Sequence, residues 1–219
     1  MTGTPHLVWG SGTELGTGLV TTREQAIDAA RTFLASHPDF LGSARADLEV
    51  RGVTHQGGKW SVNFIQVHDG ARVVDGRADV LMTDGGRVFL FGSDLFADVR
   101  VTSSATLDAN TAYERAVASV GFSLEDASRQ VVERVIIPER TTSGLVYREA
   151  YRILHYHDDG PGRWESYVDA TSGDVVWRID RLHLLDLEGT VQSDVQDKSW
   201  CDGVTTTDLQ HLEVSIDGV

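Results

Sequence analysis

Twice along this chain a stretch with helical apolar spacing gives way to strands of alternating polarity set apart by glycine turns. The order helix, meander, helix, meander limits the fold more than any other feature, because it leaves no room for an alternating βαβ run. The first helix has Thr21 and Thr22 ahead of Glu24 and Gln25, which is capping-box spacing. Ala26, Ile27, Ala29, Ala30, Phe33 and Leu34 follow at helical period, and Pro38 stops it. Trp60, Val62 and Phe64 then alternate with polar residues as a strand. Asp69-Gly70 signals a turn, Arg72–Val74 a second strand, Asp75-Gly76 a break, and Asp79–Thr83 a third strand. Asp84-Gly85-Gly86 is a hairpin turn into a fourth strand, Arg87–Phe91, ended by Gly92.

The second helix is capped by Asp108 or Asn110, carries Ala112, Ala116, Val117 and Val120 on one stripe, and closes at Gly121. Ser123–Arg129 reads as a further helical turn. Strands resume over Val131–Ile137, stopping at Pro138, and over Leu145–His157. Trp164–Val168 and Val175–Ile179 flank an Asp169–Gly173 hairpin loop. The expectation is therefore an α+β protein with antiparallel sheets. Residues 1–20 form an irregular leader, 21–100 a first helix-plus-sheet module, and 105–185 a second, with the division near Ser103 and Ser104. Residues 186–219 start a further β-rich segment, and an end so soon after a strand predicts truncation.

The bulk numbers exclude several functions. Of 219 residues, 41% are hydrophobic and 24% charged, so a core can form. A formal net charge of -14 repels nucleic acid and disfavours anionic membranes, leaving a basic or neutral protein as the better partner. No apolar run is long enough to span a bilayer. The single cysteine, Cys201, permits no disulfide within the chain. The N-terminus lacks the basic start and apolar stretch of an intact signal peptide.

Two meanders carry a resemblance. The run Trp60-Ser-Val-Asn-Phe-Ile-Gln66, followed by Gly70, Val73, Gly76 and a hairpin through Gly85, resembles the propeptide module of fungalysin and thermolysin (FTP) over about residues 22–97. Phe33-Leu34 and Phe40-Leu41-Gly42 match what stands before that module. Tyr147-Arg-Glu-Ala-Tyr151 and Trp164-Glu-Ser-Tyr-Val168-Asp169-Ala-Thr-Ser-Gly173 resemble a PepSY domain. The tandem order is more specific than either motif, being the usual propeptide of secreted thermolysin-like zinc metalloproteases. The resemblance implies two cystatin-like modules that act as intramolecular chaperone and inhibitor. The partner would be a metalloprotease catalytic domain in cis, carrying the zinc. The chain itself would hold no cofactor, and the protein would be secreted or at the cell surface. The alternative is a stand-alone protease inhibitor or extracellular interaction module.

The residues offer little chemistry of their own. His-Glu-x-x-His does not occur. His155 and His157 share one face of a strand beside Asp158 and Asp159, but a zinc site needs a third ligand. His55, His68 and His183 are isolated. There is no Gly-x-Ser-x-Gly, and Cys201 has no histidine near it in sequence, although His211 could approach in space. The chain is therefore expected to be non-catalytic. Gln66, Gly70, Val73, Gly76, Gly85, Tyr147, Tyr151, Val168, Asp169 and Gly173 are motif positions for structure or docking. A purely structural reading has the glycines in turns and Gln66 paired with backbone.

Overall fold

A computed structural model describes residues 6–16, 18–38, 42, 46–101, 105–124, 127–142, 144–157, 162–181, 190–193 and 205–208. The chain divides into two compact units, Met1–Arg181 and Leu182–Val219. In the second unit, two short strands, β10 (Thr190–Ser193) and β11 (Thr205–Asp208), pair antiparallel. Residues Ser103, Ser104, Phe40, Leu41, Asp158, Asp159, His183, Cys201 and His211 lie outside the described residues.

Among the described residues, the first unit holds nine strands and two long helices. Its strands are β1 (Val8–Glu14), β2 (Asp47–Gln56), β3 (Lys59–His68), β4 (Ala71–Thr83), β5 (Arg87–Ser93), β6 (Ala127–Thr141), β7 (Gly144–His157), β8 (Arg163–Asp169) and β9 (Val175–Asp180). The helices are α1 (Arg23–Ser36) and α2 (Ala109–Ala118). Thr22 caps α1 through a capping box: its hydroxyl accepts the Gln25 N–H, and the Gln25 side chain accepts the Thr22 N–H. Asp108 caps α2 by accepting the N–H groups of Asn110 and Thr111. These hydrogen bonds lower the Asp108 pKa, that from the Thr111 backbone most.

The α+β class holds, but the two modules do not own separate antiparallel sheets. All nine strands form one mixed sheet. β4 is the joint. One of its edges is covered by β3 along most of its length. The other edge is shared: Ala78–Met82 pair antiparallel with β5, whereas Arg72 and Val73 pair parallel with Val135 and Ile136 of β6. Asp75-Gly76 is thus no break between strands. It is a bulge inside one 13-residue strand, with Asp75 at φ 62° and Gln66 facing the displaced residues. A pattern of alternating polarity cannot reveal a strand that bends and changes partner midway.

Other boundaries also differ. The leader contains β1, which pairs with β5 through Val8–Phe91 and Trp9–Leu90. β2 was hidden by its polar outer residues, since only one face of it meets the core. Ala127–Arg129 begin β6 instead of extending a helix, and β6 runs through Pro138. Among the described residues, its only partner strand beyond Ile136 is β7, and proline, which lacks an N–H, suits a position with one partner.

Alternation assigns the faces. α1 buries Ala26, Ala29, Ala30, Phe33 and Leu34 against Trp60, Val62 and Phe64 of β3 and Ala78, Val80 and Met82 of β4. α2 buries Ala112 and Ala116 against Ile153 of β7 and Val168 of β8. The next residues along these strands point the opposite way. Ile65, Arg152 and Glu165 do so, and they line one common groove. Both helices therefore cover the same face, and the other face of the first unit carries neither.

Candidate functional site

The motif residues of the first half gather at the β4 joint. Gln66 is 2% exposed. Its Nε2 donates to the Phe96 carbonyl at 2.7 Å, and its Oε1 accepts the Phe96 N–H at 2.9 Å. One amide thus clamps one backbone unit of the chain that leaves β5. A Cβ on Gly76 would lie 2.9 Å from Gln66 Cβ, so the tight bulge requires glycine there. Val73 is buried with Ala71 and Ile136, against which Phe96 and Tyr147 pack. The Phe96 and Tyr147 rings meet edge to face at 6.1 Å. Burial, then the charge of Asp98, raises the Tyr147 pKa.

Gly70 sits with Asp69 in the two-residue hairpin between β3 and β4, both at positive φ, as the Asp-Gly signal predicts. In the Asp84–Gly86 loop the positive φ falls on Gly86, not on Gly85.

The second half repeats the device with different groups. Asp169 ends β8 and is nearly buried. Its Oδ1 accepts the N–H groups of Thr171 and Ser172, while its Oδ2 accepts from Arg148 at 2.6 Å. Burial opposes its charge, but these hydrogen bonds prevail and lower its pKa. The loop they shape presents the Ala170 carbonyl to the N–H groups of Thr106 and Leu107, both at 2.9 Å. Tyr151 donates its hydroxyl to the Leu107 carbonyl, and Gly173, at φ 79°, leaves room for the Leu107 side chain. Val168 lies beneath α2. These residues hold the approach to α2. Gln66, Tyr151 and Asp169 thus each bond to backbone of a neighbouring segment.

The helix-free face carries what the sequence did not single out. Arg72 of β4 donates to Glu133 of β6 at 3.0 Å, and Arg152 of β7 reaches Glu133 at 3.3 Å. Arg152 donates to Glu165 of β8 at 2.6 Å, and Arg181 pairs with the other oxygen of Glu165. The Tyr167 hydroxyl also donates to Glu165, at 2.7 Å. Glu165 is 2% exposed, and burial works against its charge. The hydrogen bonds from Tyr167, Arg152 and Arg181 outweigh burial and lower its pKa. Burial, followed by the Glu165 hydrogen bond, pushes Tyr167 up to about 12. The result is a five-member ladder across four strands and the chain beyond β9, beginning and ending on arginine. It lines a groove of about 350 Å³. Part of the apolar core beneath is Val74, Val135 and Ala150 with the Tyr167 ring. Trp177 of β9 stacks on Tyr167 at 5.0 Å and is 43% exposed. Cross-strand register made these contacts, and no local spacing in the sequence announces it.

His155 faces the α2 side and is 1% exposed. It meets the Ser166 hydroxyl at 3.0 Å, while its Nδ1 has no partner among the described residues. Burial, with Arg178 adding to it, lowers its pKa from 6.5 to about 4. The folded state therefore holds it neutral, and the unfolded chain takes up the proton first as pH falls. Its contribution to stability is complete above pH 6.5 and is lost toward pH 4. Between pH 7 and 5 the loss is about 2 kcal/mol. Urea unfolding at the two pH values checks this, and His155→Gln flattens the difference. Among the described residues, no group of three or more His, Cys, Asp or Glu is placed to hold a metal ion. No helix among them is long and apolar enough to cross a membrane.

No family model matches the chain, and no curated protein matches it. Among solved structures it is similar to the Bacillus megaterium YpeB C-terminal domain at 13% identity, covering 80% of this chain and 71% of that one, with a TM-score of 0.41. It is also similar to a Clostridium difficile 630 chain described as a lipoprotein, at 14% identity, 70% and 91% coverage, and a TM-score of 0.26. Neither likeness carries any part of the functional argument.

Proposed function

We propose that this chain is a non-catalytic docking module of propeptide type, which helps a secreted thermolysin-like zinc metalloprotease to fold and holds it inactive. The zinc belongs to that partner's catalytic domain. The observation that supports this most is the helix-free face, where an ion ladder anchored on the buried Glu165 stiffens a surface that also offers the half-exposed Trp177. A rigid surface costs little ordering entropy on binding, which suits both a folding template and an inhibitor. The tandem order of the Trp60–Gly76 and Trp164–Gly173 motifs supports the choice of partner. A large catalytic domain with non-local contacts folds slowly, and a module that binds its native-like surface lowers the barrier.

The test adds the whole chain to the unfolded catalytic domain encoded with it, and separately to the active enzyme. Activity recovered in the first case and lost in the second is the expected result. A gene that encodes no such domain, or no effect in either arm, overturns the reading.

A further inference from the structure

The ladder on the helix-free face is incomplete in charge. Its members are Arg72, Glu133, Arg152, Glu165 and Arg181, so three cations alternate with two carboxylates. Arg51 lines the same groove and makes no ion pair among the described residues. Arg51 is the extra residue of a bulge in β2, lying between Val50, opposite Phe64, and Gly52, opposite Asn63. Bulges re-aim side chains. Asp75 lines the groove as well, so four arginines stand against three carboxylates, a surplus of one positive charge. On a protein of net charge -14, that is a local reversal of sign.

We propose that this groove is the docking site for an extended segment of a partner protein bearing a carboxylate side chain two residues from a flat apolar residue. Arg51 and Arg72 face the carboxylate, and Trp177 takes the apolar residue. A single carboxylate matches the surplus, whereas a phosphate dianion would exceed it and meet Glu133 and Asp75. A guanidinium fork also suits carboxylate geometry. The choice of an extended segment follows from the course of the groove. It crosses the sheet from Arg72 on β4 to Trp177 on β9, and extended backbone covers such a span in the fewest residues. Alternate side chains of an extended segment face the same way, so the carboxylate and the apolar residue stand two positions apart.

The inference rests on the docking reading for its partner, but its test needs no protease. The whole chain, labelled with ¹⁵N, is titrated with acetyl-Phe-Gly-Glu-amide and with acetyl-Phe-Gly-Gln-amide, in which the two side chains under test share one face. The expected result is that the Glu peptide shifts the Trp177 indole N–H and the Arg51 and Arg72 Nε–H signals. It should bind about fivefold or more tightly than the Gln peptide, as one charge-assisted contact gives. Arg51→Gln removes an exposed side chain outside the ladder and should erase that preference while the spectrum stays folded. Equal binding of the two peptides, shifts confined to other residues, or a preference that survives Arg51→Gln overturns the proposal. Activity assays of the proposed protease partner are separate, so either idea can fail without the other.

Discussion

Glu165→Ala should lower the unfolding free energy by about 3 kcal/mol, because it strips two arginines and a buried tyrosine of their common partner. Glu165 accepts from Arg152, Arg181 and Tyr167, and it is 2% exposed. Removing one side of a buried pair costs more than the pair's net worth, since the surviving charge stays partly desolvated. Arg181 has a half-exposed side chain and recovers some hydration, which holds the figure near the lower end of the range for buried pairs. Urea unfolding at pH 7 measures the loss. Glu165→Gln keeps the shape and one acceptor, so it should fall between wild type and Glu165→Ala. A Glu165→Ala loss below about 1 kcal/mol would show that the ladder is a surface decoration.

Gln66→Ala should cost a similar amount, about 3 kcal/mol, by a different route. It leaves the Phe96 N–H and carbonyl without their side-chain partner and opens a void under the β5 exit. Gln66→Glu separates the two contributions. A glutamate at this position still accepts the Phe96 N–H but meets the Phe96 carbonyl with a second acceptor, so the variant should be weak at pH 7. Acid protonation should relieve that penalty, so its deficit relative to wild type shrinks as pH falls, while both proteins lose the same contribution through His155. A pH series of thermal melts on both proteins checks the convergence.

Local signals foretold local structure. The Thr22 capping box, the Asp108 cap, the Asp69-Gly70 hairpin and the Asp169–Gly173 loop could be read from the chain because each is settled within a few residues. The merger of two modules into one sheet could not, because the parallel pairing of Arg72 with Val135 depends on chain far away. The same limit hid the candidate site. Glu133, Arg152 and Glu165 sit on three different strands, and carboxylates are common enough in this sequence that their number carried no message. Gln66 was legible as a motif position, yet its partner, Phe96, lies 30 residues on.

The partner exchange along β4 has a consequence for the order of folding. Each half of the sheet grows from hairpins between neighbouring segments, which close short loops and form early. The parallel junction joins Arg72 and Val73 to a strand about sixty residues later, through only two residue pairs. It therefore forms late and opens first. The amides at that junction should exchange with solvent faster than those of the hairpins on either side. A ligand that grips β9 and the β2 bulge together would span the seam and slow that exchange across both halves at once.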